Sequence, residues 1–297
     1  MTTSSGAVLV TGASSGMGKA CALRLSQAGY TVFAGVRKER DASLLKQAAS
    51  SRLIPVILDV TDERSIAEAF QRIRETVGAA GLVGLVNNAG VGVTAPIELV
   101  PLEELRRQFD VNVIGQVAVI QAFLPLIRAA HGRIITVGSV GGKITIPFGG
   151  PLCASKYAIE SINDALRMEL RPWGIHVVLV APGNVRTPAV DKLVADSKVM
   201  LNRFSPEGRA RYATSYRAFV QSLLKQEEEG IGPEVMAETV YHALTARTPR
   251  TRYPVGPTSR LLPFLAAWLP ARALDVVRTR LFHVFQPFGS VTEYSQS

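Results

Sequence analysis

The sequence predicts an α/β fold: a doubly wound parallel sheet with helices on both faces, followed by a C-terminal helical extension. Short, almost uninterrupted apolar runs alternate with segments whose apolar residues recur at helical spacing, up to about residue 188. Strands that are apolar on both sides are typical of a parallel sheet covered by helices on both faces. The extension is predicted because the segments after residue 188 are amphipathic and helical.

The strands and helices of the predicted sheet follow one another in a single alternating series. The strands are short runs rich in β-branched residues, and they span residues 7–12, 31–36, 53–60, 81–90, 132–139 and 175–183. The helices between them span residues 19–29, 64–78, 102–130 and 155–170. Because the series has no break, we expect residues 1–297 to form a single domain.

The extension is predicted to contain helices at 190–204, 210–230 and 233–247, followed by an apolar tail that Pro263 and Pro270 interrupt. No apolar run in the tail reaches the roughly 18 residues that a membrane-spanning helix needs. The tail fits a helical cap over one end of the sheet, an interfacial contact with a membrane, or a surface for a partner protein. The membrane alternative rests on arginines that flank the apolar patches, namely Arg260, Arg272, Arg278 and Arg280.

Composition and charge narrow the range of partners. The chain has 33 Lys and Arg against 24 Asp and Glu, a net charge of +9 that suits an anionic cofactor or an acidic membrane surface. The basic residues are scattered and accompany no nucleic-acid-binding motif, so we expect no nucleic-acid partner. The two cysteines form no metal or disulfide pattern, and the first residues lack the features of a signal peptide. We therefore expect a reducing cytoplasmic location, with membrane association through the tail as an addition.

A glycine-rich turn, "TGASSGMGK", follows the first strand and opens the first helix. Gly12 permits a tight turn, while Gly16 and Gly18 allow the backbone to approach a pyrophosphate closely. The helix N-terminus offers free N–H groups and the positive end of its dipole to the phosphates. A glycine turn in this position of an alternating chain favours dinucleotide binding over a purely structural turn.

The end of the second strand favours NADP(H) over NAD(H). The chain reads "VFAGVRKER" there, with no acidic residue before Arg37 and Lys38 to bind a ribose hydroxyl. A guanidinium can bind a 2′-phosphate through two hydrogen bonds. The alternative is that both are solvated surface cations. Asp59, after the third strand, is a candidate for binding the adenine amino group or for capping the next turn.

Several further motifs resemble those of the short-chain dehydrogenases/reductases, over residues 7 to about 188. They are "TGASSGMG", "NNAG" at 87–90, Asn112 in "FDVNVIG", Ser139 after the fifth strand, "SK" at 155–156 and "PGNVRT" at 182–187. Within that family, "ARTPRTRYPVG" and the C-terminal extension are similar to the branch of retinol and hydroxysteroid dehydrogenases.

The resemblance implies a Rossmann-like domain, assembled as a homodimer or homotetramer, with residues 190–297 on the substrate side. It implies cofactor contacts from residues of the predicted sheet's carboxyl edge, which are Gly12, Ser14, Ser15, Met17, Gly18, Arg37, Lys38, Asp59, Val60, Asn87, Ala89, Gly90 and Lys156. Four residues of the last motif should line the nicotinamide side: Pro182, Gly183, Val185 and Thr187.

The resemblance also implies a catalytic tetrad, of which this chain matches three members. In the family a Ser holds the carbonyl oxygen, a Lys lowers the pKa of a Tyr and binds the ribose, and an Asn orders a relay water; Ser139, Lys156 and Asn112 match these. The Tyr is expected 13 residues after the Ser and four before the Lys, and both counts give Leu152. Tyr157 is about 100° further round the helix than Lys156, so we expect it to pack against neighbours, and Cys153 to be a small buried residue.

Three functions are compatible with a leucine at the position of the family's tyrosine. The first is an NADP(H)-dependent oxidoreductase that acts on an apolar alcohol or carbonyl compound, steroid-, retinoid- or polyketide-like, with an atypical proton donor. The second is a non-redox cyclase, isomerase or lyase on the same fold, and the third is a catalytically silent cofactor-binding protein. Leu152 could also be an introduced substitution that disables the enzyme.

Overall fold

The computed structural model describes residues 6–48, 51–187 and 189–284, and it confirms the predicted fold class. Seven parallel strands form one sheet: β1 Ala7–Val10, β2 Thr31–Val36, β3 Leu53–Ile57, β4 Gly84–Asn87, β5 Arg133–Val137, β6 His176–Pro182 and β7 Arg252–Val255. The first helices are α1 Gly16–Gln27, α2 Glu39–Ala48, α3 Glu63–Val77, α4 Leu102–Phe109, α5 Gly115–Ala129 and α6 Gly150–Leu170. The later helices are α7 Ala189–Asn202, α8 Pro206–Glu228, α9 Pro233–Thr245, α10 Thr258–Trp268 and α11 Ala271–Leu281.

The order of strands across the sheet is β3-β2-β1-β4-β5-β6-β7. Strands β2 and β3 therefore lie on one side of β1, and β4 and the strands after it lie on the other side, so the order reverses at β1. Ligands of open α/β sheets bind beyond the carboxyl ends of the strands at such a reversal. The glycine turn after β1 lies at this point.

Alternate side chains of each strand enter two different apolar layers, as the two-residue period of a strand requires. Val8 and Val10 face the layer that contains Leu25 of α1 and Val240 of α9. Leu9 faces the opposite layer, which α3 and α5 cover. Both faces of the sheet are thus buried, which explains why the strands are apolar throughout their length.

Some elements differ from the sequence prediction. Helix α2 was not predicted because its sequence, ERDASLLKQA, is mostly polar and buries little more than Leu45. Strand β7 was not predicted because Pro254 lies within it, although a proline is tolerated at the edge of a sheet. The prediction that Pro263 interrupts the tail is wrong, since α10 continues through it, whereas Pro270 does separate α10 from α11.

The extension lies against the carboxyl ends of the strands. Helices α7 and α8 form a third apolar cluster with residues that follow β4 and β5, such as Val93 and Phe148. The start of α10 meets the end of β6, where the Thr258 hydroxyl lies 2.1 Å from the position of a Cβ on Gly183. Residues 285–297, the end of the predicted extension, lie outside the described residues.

The helical stretch Leu102–Ala129 is, by length and composition, apolar enough to cross a membrane. Half of its apolar window is buried within the protein. Val119, Ile120 and Phe123 belong to the apolar layer on the face of the sheet that α3 and α5 cover. A core helix passes the same test, so this stretch is explained by its packing.

Candidate active site

The glycine turn after β1 is held in a conformation and at a distance that side chains would not allow. Gly12 and Gly16 have φ of 65° and 53°, in the left-handed region that favours glycine. A Cβ on Gly18 would lie 2.2 Å from the carbonyl oxygen of Gly12. The Asn88 side-chain amide donates to the carbonyl oxygens of Thr11 and Gly12, at 3.0 and 3.2 Å. Hydrogen bonds from Asn88 therefore hold the turn in place, and its glycines carry no side chain that would block a ligand.

The residues around the turn fit the pyrophosphate of a dinucleotide. Helix α1 begins at Gly16 with no acidic residue in its first turn, so its free N–H groups and dipole favour an anion. Ser14 and Ser15 are exposed and Met17 is half-buried on the same turn. No acidic side chain of the turn opposes a bound phosphate.

The residues after β2 and β3 lie where an adenosine would bind in such a fold. Arg37 and Lys38 are exposed, and neither side chain forms an ion pair or hydrogen bond with the residues that the structure describes. Asp59 instead accepts bonds from the backbone N–H and the hydroxyl of Thr61, so it caps the turn that follows β3. Val60 is buried, and its carbonyl oxygen lies 2.5 Å from the position of a Cβ on Gly115.

The "NNAG" segment after β4 connects the glycine turn to the centre of the protein. Asn87 is fully buried, and its amide donates to the carbonyl oxygen of Gln116 at 2.9 Å. The Ala89 N–H donates to the Thr11 hydroxyl at 3.0 Å. Gly90 is exposed, with Asn112 Oδ1 3.4 Å from the position of its absent Cβ. The Asn87 side chain thus has a structural role here, whereas Gly90 borders the cleft.

The loop after β6 approaches the glycine turn from the other side of the crevice. Thr187 Cβ lies 3.4 Å from the position of a Cβ on Gly16. Pro182 ends β6, and Val185 is buried and forms a β-bridge with Ile231. Of the predicted nicotinamide-side residues, Thr187 therefore lies beside the predicted pyrophosphate turn.

Helix α8 supports this loop through Glu227. Its carboxylate accepts a hydrogen bond from the Val185 backbone, and burial raises its pKa to about 7. Gln226, its neighbour, accepts a bond from the Asn184 amide at 3.4 Å. Sequence reasoning missed Glu227, because its partner is more than 40 residues away in the chain and no motif marks it.

Ser139 and Lys156 both lie at the carboxyl end of β5. The Ser139 Oγ accepts a hydrogen bond from the Gly141 N–H at 3.0 Å, which leaves its hydroxyl hydrogen available to a ligand. The Lys156 ammonium donates to the Val137 carbonyl oxygen at 3.1 Å. Only 9% of Lys156 is exposed. Its burial lowers its pKa to about 8, although the charge of Glu160 acts in the opposite direction.

Leu152 lies one helical turn before Lys156 on the same face of α6, because this helix begins at Gly150. It is half-buried, and its Cδ2 lies 3.9 Å from the position of a Cβ on Gly92, in the loop after β4. Cys153 is buried with a raised pKa. Tyr157 is 42% exposed, so its expected packing against neighbours is incomplete. Tyr157 is rotated by about 100° from Lys156, and Cys153 by about 100° from Leu152.

Asn112 lies in a π-helical turn, Asp110–Ile114, between α4 and α5. Such turns are frequent at functional sites. Its amide donates to the Val91 carbonyl oxygen at 3.0 Å and to the Ser155 hydroxyl at 3.1 Å, and its Oδ1 accepts from the Val91 N–H at 2.8 Å. Gln108 holds the same loop through the Val93 N–H and the Val91 carbonyl oxygen. Gln108 and Ser155 were not predicted, because nothing in the sequence distinguishes a buried polar residue that supports a loop.

The chain matches the family model described as short chain dehydrogenase over residues 6–198. It is also 38% identical to Retinol dehydrogenase 5 of Mus musculus, over 92% of this chain and 87% of that protein. These matches decide the family. The chain belongs to the short-chain dehydrogenase family. The curated relatives support the predicted retinol dehydrogenase-like branch within it.

Two solved structures of family members show the same fold with a cofactor bound. A short-chain dehydrogenase from Burkholderia cenocepacia in complex with NADP is 25% identical, with a TM-score of 0.68 over 93% of this chain and 96% of that one. A family member from Burkholderia phymatum in complex with NAD is 25% identical, with a TM-score of 0.73 over 88% and 94%. The family implies a nicotinamide cofactor for this chain, and the glycine turn fits one.

Proposed function

We propose that the protein is an NADP(H)-dependent oxidoreductase for an apolar, retinoid-like alcohol or carbonyl compound, with Leu152 at the position of the family's tyrosine. The observation that carries the proposal is the arrangement at the carboxyl ends of β4 and β5. Asn112 holds the loop at Val91 after β4, while Ser139 follows β5 and the Lys156 ammonium bonds the last residue of β5. The relative named Retinol dehydrogenase 5 supports the substrate class.

The described residues supply positioning and polar contacts for this reaction. A nicotinamide held by the glycine turn would supply or accept the hydride at the substrate carbon. Ser139 can donate its hydroxyl hydrogen to the substrate oxygen, because its own lone pair already accepts the Gly141 N–H. Asn112 keeps the loop at Val91 in place beside the cleft.

Leu152 presents an apolar side chain where the family has a phenol. A cavity of about 70 Å³ lies nearby, between the loop after β4 and helices α7 and α8; it is lined by apolar residues such as Met200 and by the charged side chains of Glu104, Arg107, Asp196 and Arg203. Leu152 approaches the same loop at Gly92. An apolar substrate in contact with Leu152 would bury apolar surface, which favours this substrate class.

The redox proposal is tested by following NADPH oxidation with retinal and a panel of apolar ketones and aldehydes. We expect slow turnover that depends on the protein and that falls at least tenfold in Ser139→Ala. Turnover of the substrate without a change in cofactor absorbance would support a non-redox isomerase, cyclase or lyase. Cofactor binding without any turnover would support a catalytically silent binding protein.

The cofactor preference rests on Arg37 and Lys38, which are exposed and form no ion pair with described residues. A guanidinium free of internal partners can bind a 2′-phosphate, and no acidic side chain precedes it on β2. We expect calorimetric titration at fixed salt to show tighter binding of NADPH than of NADH. Arg37→Asp should narrow or reverse the difference, while the control Lys46→Asp, at the far end of α2, should not. Equal affinities in the native protein would contradict the preference.

The exposed face of α10 supports a contact with an anionic membrane. Leu261, Phe264 and Trp268 recur at helical spacing and are 58%, 60% and 76% exposed. Residues 258–274 contain Arg260 and Arg272 and no acidic residue. An apolar face with flanking arginines fits the interface of an anionic bilayer.

This contact is tested by sedimentation with vesicles of phosphatidylserine and phosphatidylcholine. We expect the protein to bind vesicles that contain phosphatidylserine, and the variant Phe264→Ser/Trp268→Ser to lose most of this binding. A matched pair on another surface, Met168→Ser/Trp173→Ser, serves as the control. Equal binding by both variants would contradict a role for α10.

We propose further that the protein is cytoplasmic and assembles as a homodimer or homotetramer. Cys21 and Cys153 are unpaired, buried thiols, which suits a reducing compartment. Strand β7 is an edge of the sheet, beside an open groove of about 470 Å³ that Val235 and His242 help to line. Light scattering at micromolar concentration should give a mass of two or four chains, and a monomeric mass would contradict the assembly.

A further inference from the structure

Lys156 is the titratable side chain that shares the helix face of Leu152. Residues four apart on a helix are neighbours, with Cβ atoms about 5–6 Å from each other. Tyr157 is rotated by about 100° from Lys156, and burial raises the pKa of the Cys153 thiol. A leucine is also shorter than a tyrosine, so we expect room for a water molecule beyond its Cδ atoms, where a phenol would extend. A water molecule there would lie between the substrate oxygen and the Lys156 side chain.

The position of the Lys156 ammonium agrees with transfer of a proton to such a water molecule. It donates to the Val137 carbonyl oxygen at 3.1 Å, at the end of β5 and two residues before Ser139. An ammonium has three donors, so two N–H groups remain beyond this bond. The side chain is almost fully buried, so its remaining N–H groups have little contact with bulk solvent.

Burial lowers the pKa of Lys156, and the nearby negative charge opposes this only in part. Glu160, one turn further along α6, is the charged group that acts on it. The Glu160 carboxylate already pairs with Lys143 from the segment after β5, at 2.9 Å, and with Arg252 from β7, at 2.6 Å. Because two cations share that carboxylate, it compensates the buried Lys156 charge only in part.

We propose that Lys156 itself supplies the proton for carbonyl reduction in this chain, through one water molecule in the volume left by Leu152. This inference rests on the proposed oxidoreductase function. Carbonyl reduction takes a hydride at carbon, for which the reduced nicotinamide is the source, and a proton at oxygen. The C=O π bond breaks, a C–H and an O–H bond form, and Lys156 is left as a neutral amine that solvent protonates again. In alcohol oxidation the neutral amine accepts the proton.

This role sets the direction of the pH dependence. Lys156 donates only when protonated, and its pKa is lowered to about 8. The rate of reduction should therefore be level below about pH 7 and fall tenfold per pH unit above about pH 8. The rate of oxidation should rise over the same range.

The first test measures the Lys156 pKa and the rate separately. We would label lysine with ¹³C at Cε, assign the Lys156 signal by its loss in Lys156→Met, and titrate the protein without cofactor. The signal and the basic limb of the reduction rate should share one midpoint near pH 8. Lys143→Ala removes a cation from Glu160, so both midpoints should move to higher pH together. The control Lys225→Met, on the exposed side of α8, should move neither. A rate midpoint that stays fixed while the Lys156 signal moves would overturn the proposal.

The second test separates this proposal from the proposed function. Lys156→Arg keeps a positive charge but does not release a proton in this pH range, so the rate of reduction at saturating NADPH should fall at least 100-fold. Leu152→Tyr/Lys156→Arg should recover part of the rate, because a phenol can then donate. If Lys156→Arg reduces as fast as the native protein, Lys156 is not the donor. If no variant and no native protein reduces any substrate, the oxidoreductase function itself is wrong.

Discussion

Burial of the Lys156 ammonium costs the folded protein stability at neutral pH. In an unfolded chain its pKa is near 10.5, and in the folded protein it is lowered to about 8, so the folded state binds this proton more weakly. Stability should accordingly be lowest below about pH 8 and rise as the pH approaches 10.5. The free-energy cost at pH 7 is up to about 3 kcal/mol. A residue that lowers stability in this way is expected where function requires it.

We predict that Lys156→Met stabilises the protein and impairs its chemistry. Methionine fills a similar volume without a charge. The free energy of unfolding at pH 7 should increase by about 1–3 kcal/mol, and the gain should disappear near pH 10.5. Urea unfolding at both pH values checks this expectation. A variant that is less stable than the native protein at pH 7 would show that the Val137 bond outweighs the burial of the charge.

Several site residues could be predicted from the sequence and others could not, for a physical reason. Gly12, Gly16 and Gly18 belong to one local turn, so a short sequence motif is enough to predict them. Gln108 and Ser155 act by holding a loop across 15 or more positions of the chain. Contacts of that kind depend on the tertiary fold, and a single sequence does not mark them.

At the scale of secondary structure, the N-terminus of α1 depends on the absence of a side chain at Gly18. We predict that Gly18→Ala lowers NADPH affinity by at least tenfold, because its Cβ would lie 2.2 Å from the Gly12 carbonyl oxygen and 2.4 Å from Asn88 Nδ2. The turn must shift to relieve both contacts. Calorimetric titration measures the affinity. The control Gly78→Ala, with φ of 54° and no neighbour within 4 Å, should cost about 1 kcal/mol of stability and leave the affinity unchanged.

Helix α8 supports the loop after β6 through a carboxylate whose pKa is raised to about 7. The folded state therefore binds the Glu227 proton more tightly than the unfolded state does, and stability falls as the pH rises from about 4.5 to 7. We predict that Glu227→Gln, which can still accept from Val185, is more stable by about 1 kcal/mol at pH 8 and equal to the native protein at pH 4. Thermal unfolding at the two pH values checks this. A loss of stability at pH 8 would show that the charged form is needed.

The sequence predicted strands β1 to β6 but not helix α2 or strand β7. Strands β1 to β6 are buried on both faces, so their sequences are almost continuously apolar and could be predicted as strands. Helix α2 and strand β7 lie at the margins of the sheet, where less apolar surface is buried, and their sequences carry a weaker pattern. The π-helical turn at Asn112 lies within an otherwise regular helical pattern, so its periodicity does not reveal it.

For the whole molecule, the fold class followed from the sequence because the alternation of apolar strands and amphipathic helices restricts the topology strongly. The chemistry did not follow, since one fold carries many reactions and one side chain can change the proton donor. Leu152 is the residue on which this question depends.

The rate of NADPH oxidation with retinal, compared between the native protein and Leu152→Tyr, tests the central claim most directly. Lys156 already lies one helical turn away to lower the pKa of an introduced phenol, and Ser139 and Asn112 are retained. A general acid contributes roughly 10²–10⁴ in rate, so we expect a gain on the order of 100-fold with unchanged NADPH affinity. Failure of both proteins to reduce retinal or any apolar ketone, despite intact cofactor binding, would contradict the claim that this site performs hydride transfer.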